Sequence, residues 1–286
     1  MLEGRVAVPP SAQRASESGA SRLERWSFNL VLGALALTAA VLLIAPTVVV
    51  LITSFTSAFS LRFPPPGYSV RWYAALWNDS PEILAAAFTS LEVALLATSV
   101  SVLLGVGAAL ALARRTEAWA RLLDSVFMSP MMLPSLALGL ALLVLFNIAG
   151  TGLSLATLVI GHIAITTPYV LRTTIASLTQ MDPQLLESAR SLGARPLFAF
   201  RTVTLPMIAP GIAAGSFIAF MSSFDNVAVS LFLSDARSEV LPIRLWHIIE
   251  ANLDVRAAAA SGVLIGFTIL LGIVMEKLAG ISRHMR

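Results

Sequence analysis

The chain has 286 residues, 57% hydrophobic and only 12% charged, with a strongly positive mean hydropathy. Soluble domains carry about 25% charged residues, so a water-soluble fold is excluded and the apolar span becomes the unit of organisation. The net charge of +3 comes from scattered arginines without a dense basic run, which excludes nucleic acid as a natural partner, and zero cysteines exclude disulfides and thiol chemistry.

Residues 1–27 form a polar tail with Arg5, Arg14, Arg22 and Arg25, expected to be mostly disordered and to turn helical from Ser21. The first apolar run, 28–52, is long enough to cross a hydrocarbon core of about 30 Å. It exceeds the about 7–15 residues of a signal-peptide core, so it is read as an uncleaved span. Residues 53–82 contain Pro64-Pro65-Pro66-Gly67 among Phe63, Tyr68, Trp72, Tyr73 and Trp77, the composition of an interfacial loop. Trp72, Tyr73 and Trp246 could form an outer gate, but interfacial anchoring explains them better.

A second span covers 83–113 and stops at Arg114-Arg115. A third covers 126–148, with Pro130 and Pro134 near its start, and Gly150 to Gly152 turn the chain into a fourth, 153–176. The polar, amphipathic stretch 178–207 then leaves the bilayer. Span five is expected over 208–232 and span six over 257–278, joined by a loop with an amphipathic helix at 243–249. A short tail, 281–286, ends the chain. The fold class is therefore all-α and polytopic, with six transmembrane helices.

Six spans place both termini on one side. With that side cytoplasmic, the inside segments hold 14 of the 19 Lys and Arg residues, while Arg62, Arg71, Arg237, Arg244 and Arg256 stay outside. Acidic residues show no such bias, as expected of a rule about positive charge alone. The stretch 178–207 is thereby assigned to the cytoplasm.

No phosphate-binding glycine loop, zinc-ligand cluster or serine elbow occurs. No catalytic residue and no metal site are expected, and the chain is not read as an enzyme. His162, His247 and His284 have no partner at ligand spacing; His162, deep in span four, reads best as a packed histidine bonded across a helix interface. Two carboxylates lie inside apolar runs, Glu92 in span two and Asp225 in span five. A charge at that depth costs roughly 2.5–3.5 kcal/mol on insertion scales and usually faces a bundle interior or a water-filled path. Asp225, with Ser222 and Asn226 beside it, is either a cation-attracting site on a translocation path or an interhelical hydrogen-bonding group. For Glu92 the structural reading is favoured.

In 178–207, Leu185, Leu186, Ala189, Leu192 and Gly193 share one helical face, and a short helix is expected to end at Gly193, followed by a segment that Pro206 stops. Glu187-Ser188-Ala189, then Gly193, then Val203-Thr204-Leu205-Pro206 follow a spacing of Glu-Ala-Ala, three residues, Gly, nine residues, Ile-x-Leu-Pro. This resembles the cytoplasmic signature loop of binding-protein-dependent ABC importer permeases, with Ser188 in place of Ala and Val203 in place of Ile. The resemblance covers nearly the whole chain from span one and is nearest to the spermidine/putrescine type. It is carried also by Ser129-Pro130-Met131-Met132-Leu133-Pro134, Gly161-His162, Pro168-Tyr169, Met221 to Val227 and Glu239 to Arg244.

The resemblance implies the type I importer permease fold in a bacterial inner membrane. It implies that Glu187, Ser188, Ala189, Gly193, Leu205 and Pro206 form a coupling helix and loop docked on an ATPase dimer. Glu187 would accept a hydrogen bond at the helix start or meet a basic residue of that partner. ATP and Mg would be bound by the ATPase and no cofactor by this chain. The other implied partners are membrane lipid, a second permease subunit of different sequence and a periplasmic or extracellular substrate-binding protein. The polyamine permeases carry an acidic pair where this chain has Asp225-Asn226, a departure that leaves aminophosphonates and other small solutes open as cargo. A secondary transporter is the less favoured alternative, since no inverted repeat is evident, and a membrane scaffold a further one.

Overall fold

The computed structural model describes residues 10–279, whose regular structure is helical apart from two isolated bridges, Thr56 with Tyr68 and Ser60 with Asp254. In chain order the helices are α1 (Pro10–Ser54), α2 (Arg71–Asn78), α3 (Pro81–Leu112), α4 (Ala118–Met132) and α5 (Ser135–Ile148). There follow α6 (Leu155–Gln180), α7 (Pro183–Ser191), α8 (Pro196–Ala199), α9 (Leu205–Phe224), α10 (Ser230–Leu233), α11 (Leu241–Asn252) and α12 (Val255–Ala279). A π-helical turn, Phe200–Thr204, joins α8 to α9.

The centre is made by α3, α6 and α9, and small residues decide how closely they cross. Lipid tails are as apolar as leucine, so helices gain from close backbone approach rather than from hiding apolar surface. On α3, Ser90, Ala94, Ala97, Ser101, Gly105 and Ala109 form a buried stripe at helical spacing. A Cβ on Gly105 would lie 2.9 Å from the Val170 Cβ of α6. On α9, Gly211 and Gly215 stand four apart against the same helix. A Cβ on Gly215 would lie 2.9 Å from the Val170 Cα, and one on Gly211 would overlap Ser177.

Hydroxyls reinforce the crossing, as Ser101 and Thr166 share a 2.7 Å hydrogen bond and Thr167 donates to the Ser101 Oγ at 3.1 Å. Outside this centre, Phe267 of α12 packs on Phe220 and Phe224 of α9. Helix α1 lies against α12 and leaves most of its apolar side chains, Leu43 among them, uncovered by this chain.

At one end of the bundle the 55–80 segment is tied down by its aromatics. Trp72 donates to the Ala58 carbonyl at 3.0 Å, Ser54 and Tyr73 share a hydroxyl contact of 2.7 Å, and the Arg71 guanidinium lies over Phe59 and Trp72. Arg256 joins α12 to the start of α3 through Asp254 (2.8 Å), Ser80 and Glu82.

Five helices are long and apolar enough to cross a membrane: 28–54, 81–112, 155–180, 196–224 and 255–277. The expected third span is not one straight helix; α4 and α5 meet at an angle of 107° across Leu133-Pro134. Counting that pair as one span makes six. The fifth span also differs from its expected 208–232. It begins upstream of Pro206 and stops at Phe224, because Asn226 accepts the Val229 N–H on its side chain (2.8 Å) and diverts the backbone from helix.

The N-terminal stretch is helical from Pro10 rather than from Ser21, in keeping with its Ala, Gln, Arg and Glu content. Residues 1–9 and 280–286, which include the tail read at 281–286, lie outside the described residues. Helix α2 lies within the segment read as loop, and α11 covers the expected amphipathic helix at 243–249.

Candidate coupling surface and translocation path

The signature stretch starts where α6 ends. Asp182 accepts the Gln184 N–H at 2.9 Å and Pro183 takes the first helical position, the arrangement of an N-terminal cap. The helix therefore starts four residues before Glu187. Glu187 sits in its second turn, exposed and without a hydrogen-bond partner for its carboxylate among the described residues, so Asp182 and not Glu187 holds the helix start.

The C-terminus closes by a Schellman motif: the Gly193 N–H donates to the Arg190 carbonyl (2.9 Å) and the Ala194 N–H to the Ala189 carbonyl (3.1 Å). Gly193 has φ +82°, a left-handed conformation that costs side-chain-bearing residues energy and glycine none. Glycine is the residue that takes this turn at least cost.

Leu186 and Ala189 are half-buried toward the bundle, while Leu185 and Leu192 open outward with Leu197 and Phe198 of α8; Leu192 is 89% exposed. The single apolar face inferred from spacing thus divides into an anchoring side and a free side. Between α7 and the end of α3 lies a cleft of about 260 Å³ lined by Leu110, Arg114, Leu186, Arg190 and Phe200, among others.

Downstream, Pro206 does not stop the second segment. The Leu205 N–H donates to the Phe200 carbonyl, five residues back, and this π-turn absorbs the irregularity just before the proline, so the helix runs on. Leu205 and Pro206 accordingly open α9, apart from Glu187, Ser188, Ala189 and Gly193 on α7 and its cap. Leu197 and Phe198 were not singled out by spacing, although an exposed Leu-Phe pair beside a signature helix is a readable signal.

At its far end α9 closes on Asp225, whose N–H donates to the Met221 carbonyl at 3.3 Å and whose side chain is exposed and in no ion pair among the described residues. Ser222 is half-buried beside it, and Asn226 is occupied in capping the return to α10. His162 is the buried tie behind this turn. Its Nδ1 meets the Ser223 Oγ at 2.7 Å and its Nε2 the Ser230 Oγ at 3.0 Å, so one imidazole bridges both sides of the helix interruption.

Glu92 lies on an exposed stripe of α3 with Phe88, Leu95, Leu96, Ser99 and Leu103, opposite the buried one; it and Asp225 share no hydrogen bond. Just beyond α10, Asp235 accepts from the Ser238 hydroxyl and from the Ser238 and Arg237 amides, which hold its carboxyl below the usual range and fix the loop into α11. Among the described residues no cluster of His, Asp and Glu could hold a metal ion.

Comparison with known proteins places this geometry. Residues 101–281 match the family described as binding-protein-dependent transport system inner membrane component. The chain belongs to that family, the permease subunits of ABC importers. It is 28% identical to the spermidine/putrescine transport system permease protein PotC of Escherichia coli over 235 residues, 82% of this chain and 88% of that one.

It is 29% identical to the putrescine transport system permease protein PotI of Escherichia coli over 255 residues, 85% and 89% of the two chains. To a putative 2-aminoethylphosphonate transport system permease protein, PhnV, of Salmonella typhimurium it is 25% identical, over 82% and 88%. The fold is shared with a chain of a bacterial ABC transporter that imports alginate, at TM-score 0.63 and 14% identity over 92% of this chain and 98% of that one. It is shared also with an amino acid ABC transporter, at TM-score 0.54 and 19% identity over 75% and 98%.

Proposed function

We propose that this chain forms half of the translocation path of an ATP-driven importer for a small amine of the polyamine class, delivered by a substrate-binding protein. The observation that carries the cargo reading is Asp225, an exposed carboxylate in no ion pair among the described residues, at an interruption of α9, in a chain related to spermidine and putrescine permeases. A carboxylate there attracts an ammonium group and costs insertion energy that a purely structural residue would not require.

The second half of the path is a second permease subunit of different sequence, and both termini are cytoplasmic, as the arginine distribution supports. Helix α7 with Glu187, Ser188, Ala189 and Gly193 docks on the ATPase dimer, which binds ATP and Mg. The outward side chains Leu185, Leu192, Leu197 and Phe198 supply the apolar contact, and Leu205-Pro206 carries its movement into α9. Glu92, exposed on α3, faces the second subunit or the water-filled path.

The test is uptake of labelled spermidine and putrescine by proteoliposomes holding the complete transporter, with 2-aminoethylphosphonate, itself an amine, as the rival cargo. ATP-dependent polyamine uptake is expected, and Asp225→Asn should raise its KM about tenfold or more, since a hydrogen bond to a charged group contributes roughly 1.5–3 kcal/mol. Unchanged kinetics in that variant would make Asp225 structural. Uptake of the phosphonate alone would replace the cargo class.

A further inference from the structure

At the α7 end of the bundle, three arginines converge on a cleft that has no part in the coupling and cargo assignments. The cleft has a volume of about 420 Å³ and lies between the end of α3, the start of α4 and α6. Arg115, just past α3, Arg121 of α4 and Arg172 of α6 line it, together with Asp124, Ser125 and Ile175.

The arrangement follows from the local sequence. Arg114-Arg115 ends the apolar run of α3, and Arg121 and Asp124 share a face of α4, because residues three apart are neighbours on a helix. That face turns toward α6. There the Arg172 guanidinium donates to the Asp124 Oδ2 at 2.9 Å and, through Nε, to the Met128 Sδ at 2.8 Å.

The charges do not cancel. Asp124 is engaged by Arg172, and Glu117 at the rim is engaged by Arg115 at 3.3 Å. The Arg121 side chain is exposed and in no ion pair among the described residues. Arg172 keeps 50% of its side chain exposed despite its ion pair, and its guanidinium carries further N–H donors beyond the two engaged. Two arginines therefore offer donors to the same cationic space.

Depth separates this cleft from an ordinary surface patch. Arg172 stands eight residues before α6 ends at Gln180, about 12 Å inward at 1.5 Å per residue. A guanidinium at that level requires a polar or anionic neighbour, and its long side chain reaches back toward the interface. Beside the cleft, α4 exposes Trp119, Leu122 and Val126, Leu122 by 66%. A tryptophan at the start of such an apolar face marks the level of the headgroups.

A free anion would use the arginines alone, whereas an amphiphile with an anionic head also uses the apolar face beside them. Basic pockets between membrane helices hold anionic headgroups, and the guanidinium fork matches a phosphate through parallel N–H bonds. We propose that the cleft between α3, α4 and α6 binds the phosphate of an anionic phospholipid. Arg121 and Arg172 donate to it, and the acyl chains lie along Trp119, Leu122 and Val126. Arg115 also lines the cleft against α7, so the bound lipid sits beside the coupling helix. The site rests on the span assignment and not on the cargo.

The test uses the assembled transporter in phosphatidylcholine nanodiscs that contain a phosphatidylglycerol with a photoreactive acyl chain. Cross-links on this chain are mapped by mass, with unlabelled phosphatidylglycerol as competitor, and co-purification of all subunits verifies that each variant assembles. Labelling within residues 119–126 is expected, lost on competition, with a photoreactive phosphatidylcholine giving background only.

Arg121→Gln should weaken labelling about fivefold, the weight of one arginine near an anionic surface. Asp124→Asn should strengthen it, since a negative charge leaves the cleft and the Arg172 guanidinium is released. Arg237→Gln, an exposed arginine in the loop before α11, is the control and should change nothing. Inorganic phosphate, matched in ionic strength with chloride, should not displace the lipid.

Equal labelling of the parent and Arg121→Gln, or equal labelling by the two lipids, overturns the proposal. A fall in Asp124→Asn like that in Arg121→Gln would mean that both act through the fold, and overturns it as well. Displacement by inorganic phosphate gives the cleft to a soluble anion instead of a lipid. Labelling is read without cargo or ATP, so a failed polyamine assay leaves this result standing.

Discussion

His162 shows how much one side chain holds. It is buried on α6, and its two nitrogens take hydroxyl partners 61 and 68 residues away, one before and one after the interruption at Asp225. Removing it leaves two buried hydroxyls unsatisfied and a void between helices. His162→Ala is expected to destabilise the protein by about 1–3 kcal/mol, read as a lower thermal midpoint in detergent. His162→Gln, which can bond one serine, should recover part of that loss. An alanine variant as stable as the parent would mean that the bridge contributes nothing. The histidine's burial in span four was legible from the apolar run around it. Its partners were not, because Ser223 and Ser230 are remote in sequence and only the stop of α9 at Phe224 brings both within reach.

At the scale of the element, α7 is the most readable part of the chain. Asp-Pro before it and Gly after it are start and stop signals that follow from local backbone chemistry alone. Of the two roles open to Glu187, the hydrogen bond at the helix start falls to Asp182 instead, and the apolar face read as one divides between the bundle and the outside. The turn at Gly193 carries a prediction. Gly193→Val, a β-branched residue at φ +82°, should distort the exit from α7, whereas Gly193→Asn should be tolerated better because asparagine enters the left-handed region at lower cost. The measurement is ATPase stimulation in the assembled transporter: strong loss for valine, partial loss for asparagine. Equal activity in all three proteins would detach the turn from coupling. The α4–α5 break was less legible. Pro130 and Pro134 were visible, but a proline is compatible with a kinked continuous span, and only packing on α6 decides that the two arms diverge by 107°.

For the whole molecule, orientation is the property on which the functional reading depends. The arginine distribution supports the proposal that α7 lies in the cytoplasm and the 55–80 segment outside. Ser191→Cys should therefore react with an impermeant maleimide in inverted vesicles and not in intact right-side-out ones, and Ser57→Cys should show the opposite pattern. The reverse result would place the coupling helix away from the ATPase and sink its assignment. The apolar length of α1, the stripe of α3 through Glu92 and the break at 133–134 are exposed among the described residues.

Composition and hydropathy by themselves determined that this is a polytopic helical membrane protein, because no soluble core could hide so much apolar surface. The spacing from Glu187 to Pro206 carried the family resemblance, since caps and turns are local. Only tertiary structure decided where helices stop inside the membrane and which polar groups meet. A stretch such as 126–148 or 208–232 is equally apolar whether straight or broken, and the difference lies in contacts with residues far away in the chain.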